Sequence, residues 1–194
     1  MTLTLRRITS IIIAFALLAP ACVRVYAIPA AYTLKSELTV RHQGFAYRCS
    51  AYAFSTAMEI CGYDVDPDEL AVAAGDNTGR MGLHLPQLMP AAETMIDAAI
   101  SAKQLDATEK IKTAVYSGEA VWMTIWMDSK NNIVAESQIE DISKYVYHAV
   151  VCIGWTRNGL IVQNSYGDEW GFRGRSYVPD DSWCKAWIIN VDAN

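Results

Sequence analysis

Between residue 49 and about residue 118, apolar side chains recur at helical spacing. Ala51, Phe54, Met58 and Cys61 fall near one face and Gly62 follows as a stop, which predicts a helix over Cys49–Cys61. Asp66, Pro67 and Glu69 carry the start signals of a second helix that Gly75 ends. A third is predicted from Leu85 to about Ile100, with Pro86 in its first turn and Pro90 as a point where the start shifts or the helix kinks. Asp106 and Glu109 are expected to cap a fourth, running to Gly118. Beyond Gly118 the texture becomes that of strands: Ala120–Met127, Tyr145–Gly154, Leu160–Asn164, Gly174–Val178 and Trp187–Val191, with residues 128–144 polar and irregular. Residues 28–42 read as an extended lead-in, and Gly79–Gly82 as a loop. Helices followed by strands predict an α+β domain.

The first 27 residues stand outside this pattern. Arg6 and Arg7 precede the apolar run Ile11–Leu18, and small residues follow, the order of a secretory signal. The run is short for a membrane span, which needs ~20 residues. Two exits exist, after Ala21 and after Ala27, and the second is preferred; Cys22 leaves a lipoprotein site open, and an uncleaved anchor is the alternative. The domain is therefore placed at 28–194, in a secreted or extracytoplasmic protein.

Composition narrows the class. A chain of 194 residues with 52% hydrophobic and 19% charged positions builds one globular domain with its own core. The formal charge of −5 becomes −8 once the three signal arginines are gone, leaving 13 basic against 21 acidic residues. That balance argues against nucleic acid as a partner.

Candidate chemistry begins with the cysteines. Cys61, Cys152 and Cys184 read as small core residues or as half of one bridge. No C-x-x-C and no paired His is present, so no metal or other cofactor is expected. Cys49 differs because it opens a helix, where unpaired amides and the macrodipole favour a thiolate. Arg48 either adds positive potential or is solvated. A thiolate needs a base that later returns the proton. His42 lies in the lead-in and His84 at a helix start, where surface or capping roles are common. His148 heads the apolar run HAVVCIGW, either as that base or as a satisfied core histidine.

Asn164 follows sixteen residues later, ending the run LIVQN. A tight turn at Asn158–Gly159 would pair Asn164 with Ile153, on the strand surface opposite to His148. A wider loop over Gly154–Asn158 instead sets His148 directly across from Asn164, with Cβ atoms about 5 Å apart. The wider loop is the expectation, with Gly154 at the strand exit.

These residues resemble the papain-like cysteine peptidases and the wider clan that includes the C39-like bacterial peptidases. QGFAYRCSAYAFS places Gln43 and Cys49 at that family's interval, and HAVVCIGW followed by NSYGDEWGFRG matches its His and Asn blocks at His148, Asn164, Gly167, Trp170, Gly171 and Gly174. The likeness spans roughly residues 39–180, dense at both ends and loose between. It implies a helical half packed against an antiparallel sheet or half-barrel. It also implies Cys49 as nucleophile, His148 as base and acid, Asn164 as its orienting partner, and the Gln43 amide with the Cys49 N–H as oxyanion hole. Trp170 is implied to shelter the His148–Asn164 bond, and Tyr47, Gly82 and Trp170 to border the substrate.

Several positions depart from the family pattern. The Cys-to-His separation is 99 residues, against ~130–150 in papain-type enzymes. Ser50 stands where a Trp follows the nucleophile, Tyr166 replaces the Trp after Asn-Ser, and Tyr47-Arg48 replaces Gly-Ser. The expected function is a secreted, monomeric thiol peptidase acting on peptides or proteins. The alternatives are an amidase or transpeptidase on cell-wall or other non-protein amides, and a catalytically silent papain-like binding domain.

Overall fold

The computed structural model describes residues 27–34, 37–44 and 46–192. The expected signal segment, apart from its last residue, lies outside the described residues. Within them, an eight-stranded antiparallel sheet is flanked by four helices. Chain order is β1 (Tyr32–Thr33), α1 (Cys49–Ile60), α2 (Pro67–Ala73), α3 (Leu85–Ile96), β2 (Ala99–Leu105), α4 (Thr108–Tyr116) and β3 (Ala120–Met127). It continues through β4 (Ile133–Val134), two short 3-10 turns, β5 (Val146–Thr156), β6 (Gly159–Gln163), β7 (Arg175–Val178) and β8 (Trp183–Asp192). The sheet runs β2-β8-β3-β5-β6-β7, with β1 added to β5 and β4 to β3.

The helix α1 is apolar or small around its whole circumference, and Ser50 to Met58 are all buried. A helix of that kind belongs inside a core. It packs on one sheet face with α2 and α3, where Phe54, Met58, Leu70 and Leu88 meet Trp122, Val151 and Ile189. The other face carries Met123, Ile125, Val150, Cys152 and Val162 against Ile111 and Val115 of α4. The even and odd residues of β3 thus go to different cores, as the two-residue period of a strand requires. Asp66 caps α2 by accepting the amides of Asp68 and Glu69, both at 2.9 Å.

Three expectations are corrected. The third helix stops at Ile96, where Asp97 takes a left-handed φ of 54°, and residues 99–105 form an edge strand instead. All seven residues of β2 pair with β8, from Ala99↔Asp192 to Leu105↔Ala186, and this ladder overrides a locally helical sequence. Pro90 sits inside α3 without ending it. The fourth helix starts at Thr108 with Ala107 before it; Asp106 is no cap, and it pairs with Lys110 at 2.7 Å.

The third correction concerns the β5–β6 hairpin. Thr156 pairs with Gly159, so Arg157–Asn158 is a tight turn, and the wider loop does not form. Gly154 lies inside β5, where a Cβ would stand 2.2 Å from the Tyr32 carbonyl oxygen; its bare backbone lets β1 add to the sheet. Register then shifts by one at Ile153, between the pairs Cys152↔Val162 and Gly154↔Ile161. Without that bulge Asn164 would continue opposite Val151, on the face away from His148. The extra residue brings Asn164 onto the face of His148, two positions along rather than directly across.

Candidate active site

Cys49 is the first residue of α1, and Arg48 before it supplies no side-chain cap. The thiol therefore lies among unpaired helix amides at the positive end of the dipole. Burial pushes its pKa up, but the hydrogen bond and charge of His148, the Ala149 amide and Ser50 outweigh burial and hold the thiol below its ordinary value. The other three cysteines among the described residues are free thiols too. Burial raises Cys61, drives Cys152 up to about 12, and with Glu136 drives Cys184 to about 12. The four described cysteines thus divide into one activated thiol and three suppressed ones.

Arg48 does not supply free positive potential to this thiol. Its guanidinium donates to Asp68 at 2.7 Å and to Asp76 at 3.2 Å. Asp76, fully buried, also accepts the amides of Gly79 at 2.8 Å, Thr78 at 3.1 Å and Arg80 at 3.3 Å. This carboxylate, which no sequence motif marks, organises the loop that leads to Gly82.

His148 is 3% exposed and lies at the open end of β5. Its tautomer follows from its neighbours. The Ser165 amide donates to Asn164 Oδ1 at 2.6 Å, so that atom is the carbonyl oxygen. His148 Nε2 lies 2.5 Å from the same oxygen and must carry the proton. Nδ1 is then the acceptor in the neutral ring. The Asn164 side-chain nitrogen is buried with no partner among the described residues, and the backbone N–H of Asn164 is held by the Gly174 carbonyl at 2.8 Å. Gly174 has a φ of +74°, and a Cβ there would meet Gln163 Nε2 at 2.8 Å.

Gln43 is fixed by the chain after Asn164. Its backbone N–H donates to the Ser165 carbonyl at 2.9 Å, and His42 forms a bridge to Tyr166. Ser165 Oγ donates to Gln43 Oε1 at 2.5 Å, so the amide nitrogen points the other way, donating to the Ala46 carbonyl at 2.7 Å and keeping one N–H in reserve. Ser165 was missed in the sequence, though its place directly after Asn164 was a usable signal.

The pair opens on a cavity of about 700 Å³ lined by Cys49, His148 and mainly apolar residues, among them Leu83, Met89, Trp122 and Trp187. Of the three residues expected to border substrate, Gly82 lines this cavity. Tyr47 is 66% exposed at the surface two residues before the nucleophile, its amide held by the Gly79 carbonyl at 2.8 Å. Trp170 packs edge-on against Tyr166 with ring centroids 6.3 Å apart, and Tyr166 in turn covers the His148 ring at 4.5 Å. Among the described residues, no group of three His, Cys, Asp or Glu side chains is placed to hold a metal ion, and no helix is long and apolar enough to cross a membrane.

This arrangement defines a papain-like fold, and known structures agree. No protein-family model and no curated sequence matches the chain. Solved structures do. A C39-like peptidase from Bacillus anthracis superposes with a TM-score of 0.58 at 15% identity, over 84% of this chain and 98% of that one. A cysteine protease from Carica candamarcensis, in complex with E-64, gives 0.60 at 14% over 86% of this chain and all of the other. Procathepsin B from Trypanosoma congolense gives 0.61 at 9%, over 87% and 80%. The fold is that of the papain-like cysteine peptidases.

Proposed function

We propose that the protein is a secreted cysteine peptidase that hydrolyses peptide bonds through an acyl-enzyme on Cys49. The observation that carries this reading is the relay from the Asn164 carbonyl through His148 to a thiol held below its ordinary pKa at a helix N-terminus. In the reading, the Cys49 thiolate attacks the scissile carbonyl while the imidazolium keeps its Nδ1 proton. The tetrahedral oxyanion takes hydrogen bonds from the Cys49 amide and the reserved N–H of Gln43. His148 then gives its proton to the leaving amine, and the C–N bond breaks. For deacylation, neutral Nδ1 removes a proton from water, which attacks the thioester, and the thiolate leaves. Asn164 keeps Nε2 protonated throughout. The apolar cavity beside the pair seats a bulky apolar side chain of a peptide or protein substrate. The chain acts as a monomer, outside the cytoplasm after loss of residues 1–27, and needs no cofactor.

An epoxide or iodoacetamide probe tests the reading. Cys49 should be labelled well ahead of Cys61, Cys152 and Cys184, and Cys49→Ala should lose both labelling and peptide turnover. Equal labelling of all four thiols overturns it. Turnover of peptidoglycan fragments but of no peptide reassigns the same machinery to a cell-wall amidase.

A further inference from the structure

The Tyr166 hydroxyl lies 3.3 Å from His148 Nδ1. Asn164 occupies Nε2, so Nδ1 is the nitrogen left to serve the Cys49 thiol. The protonation of Nε2 leaves one lone pair on Nδ1, and two donors claim it: the Cys49 S–H and the Tyr166 O–H. Once the thiol proton has moved to Nδ1, that lone pair is gone. The phenolic hydrogen must then turn, and the Cys49 thiolate, whose charge acts on this hydroxyl, offers it a new acceptor. We propose that the Tyr166 hydroxyl is a third member of the thiolate–imidazolium pair, donating to Nδ1 in the neutral state and to the Cys49 sulfur in the charged one. This rests on the assignment of Cys49 and His148 as nucleophile and base, and it makes Tyr166 a residue that sets how much thiolate is present.

The direction of the effect follows from hydrogen-bond strengths. A bond to a charged acceptor is worth more than one between neutral groups. The hydroxyl therefore favours the ion pair over the neutral pair, by roughly fivefold to tenfold on those typical strengths. Burial, together with the charge of Cys49, pushes the Tyr166 pKa up to about 12, so the phenol remains a donor throughout the working range. Three contacts fix the ring in this position. Its face lies against His148 at 37°, Trp170 meets it edge-on, and the next residue, Gly167, donates to the Arg41 carbonyl at 3.1 Å.

Other titratable groups stand around the pair without bonding to it. Tyr147 on β5, Lys185 on β8 and His84 at the head of α3 line the cavity. His42 lies beneath Gly167, Arg48 is tied to Asp68 and Asp76, and Glu136 acts on Tyr147 and Cys184.

The test is the pH dependence of iodoacetamide alkylation at Cys49, followed by mass spectrometry on the full chain. Tyr166→Phe keeps both ring contacts and removes only the hydroxyl. It should shift the alkylation profile to higher pH, lowering the rate on its acid limb about fivefold to tenfold and leaving the alkaline plateau unchanged. Placing 3-fluorotyrosine at position 166, a stronger donor of nearly the same size, should shift the profile the opposite way. A superimposable profile for the Phe variant, or a shift to lower pH, overturns the proposal. Should Tyr166→Phe unfold, the fluorotyrosine protein alone decides, since an unmoved profile there also overturns it. The peptidase reading fails separately, by absence of turnover in a wild-type protein whose alkylation profile still responds to position 166.

Discussion

Replacing Asp76 with alanine removes the carboxylate that anchors the loop leading into the cavity. The side chain has no solvent exposure, and it accepts from Arg48 and from three backbone amides. Without it, those amides lose their acceptor, and Arg48, 15% exposed, keeps only the half-exposed Asp68 as a counterion. Breaking a buried, hydrogen-bonded ion pair from one side costs ~3–5 kcal/mol. The lower end, about 3 kcal/mol, applies, because the carboxylate lies beneath a short loop and Asp68 stays on the guanidinium. In a chain of this size that corresponds to a fall in Tm of about 6–12 °C. Acid should erase the difference. Burial disfavours the charged carboxylate, but Arg48 and the amides of Thr78, Gly79 and Met81 overcome it and hold the pKa below the usual range. A depressed folded-state pKa contributes stability that is fully present above the unfolded value, ~3.9, and is lost as pH falls through the folded value. Urea titrations of wild type and Asp76→Ala should therefore differ by a constant amount from about pH 5 to 7 and converge below about pH 4. A neutral-pH loss under ~1 kcal/mol refutes the anchoring argument. A gap that persists undiminished into acid refutes the assignment to the charged form.

Four further outcomes are expected. Asn164→Ala should lower kcat/KM for peptides by ~10²-fold, near the lower end of what a positioned general base contributes, with little loss of Cys49 burial or of fold by circular dichroism; near-wild-type turnover contradicts the relay. Gln43→Ala should cut kcat by ~10²–10³ while KM changes little, as for loss of one oxyanion donor, and Ser165→Ala should produce a milder fall of the same kind by freeing the Gln43 amide to turn. Gly154→Ala places a Cβ 2.2 Å from the Tyr32 carbonyl oxygen, so β1 must leave β5. Limited proteolysis should then cut near residue 32, and urea unfolding should show a loss of ~1–3 kcal/mol.

The helical half was legible because its cues are local. The face formed by Ala51, Phe54 and Met58 and the Asp66–Pro67 start depend on neighbours within a few residues, and the structure repeats them. The strand β2 had no such cue. Only Ile100 and Leu105 are buried among its seven residues, and what makes it a strand is β8, more than eighty residues away. A sequence read in short windows finds no strand signal there and carries the preceding helix on to about Ile100.

The site divides in the same way. Cys49, His148 and Asn164 could be named from residue type and position, and their meeting could be required on chemical grounds, but the joint that delivers it was misplaced. The tight Arg157–Asn158 turn by itself sends Asn164 to the wrong face, and a single bulged residue, Ile153, reverses that result. Nothing in Cys152-Ile153-Gly154 marks the bulge; it lies where β1 pairs with β5 at Gly154, and the Asn164 backbone N–H beyond it donates to the Gly174 carbonyl. Tyr166 carries the same lesson into chemistry. As a sequence feature it is only a missing indole. The tautomer fixed by the Ser165 amide turns the nitrogen that faces its hydroxyl into an acceptor, and that gives the substitution a physical consequence at the thiol.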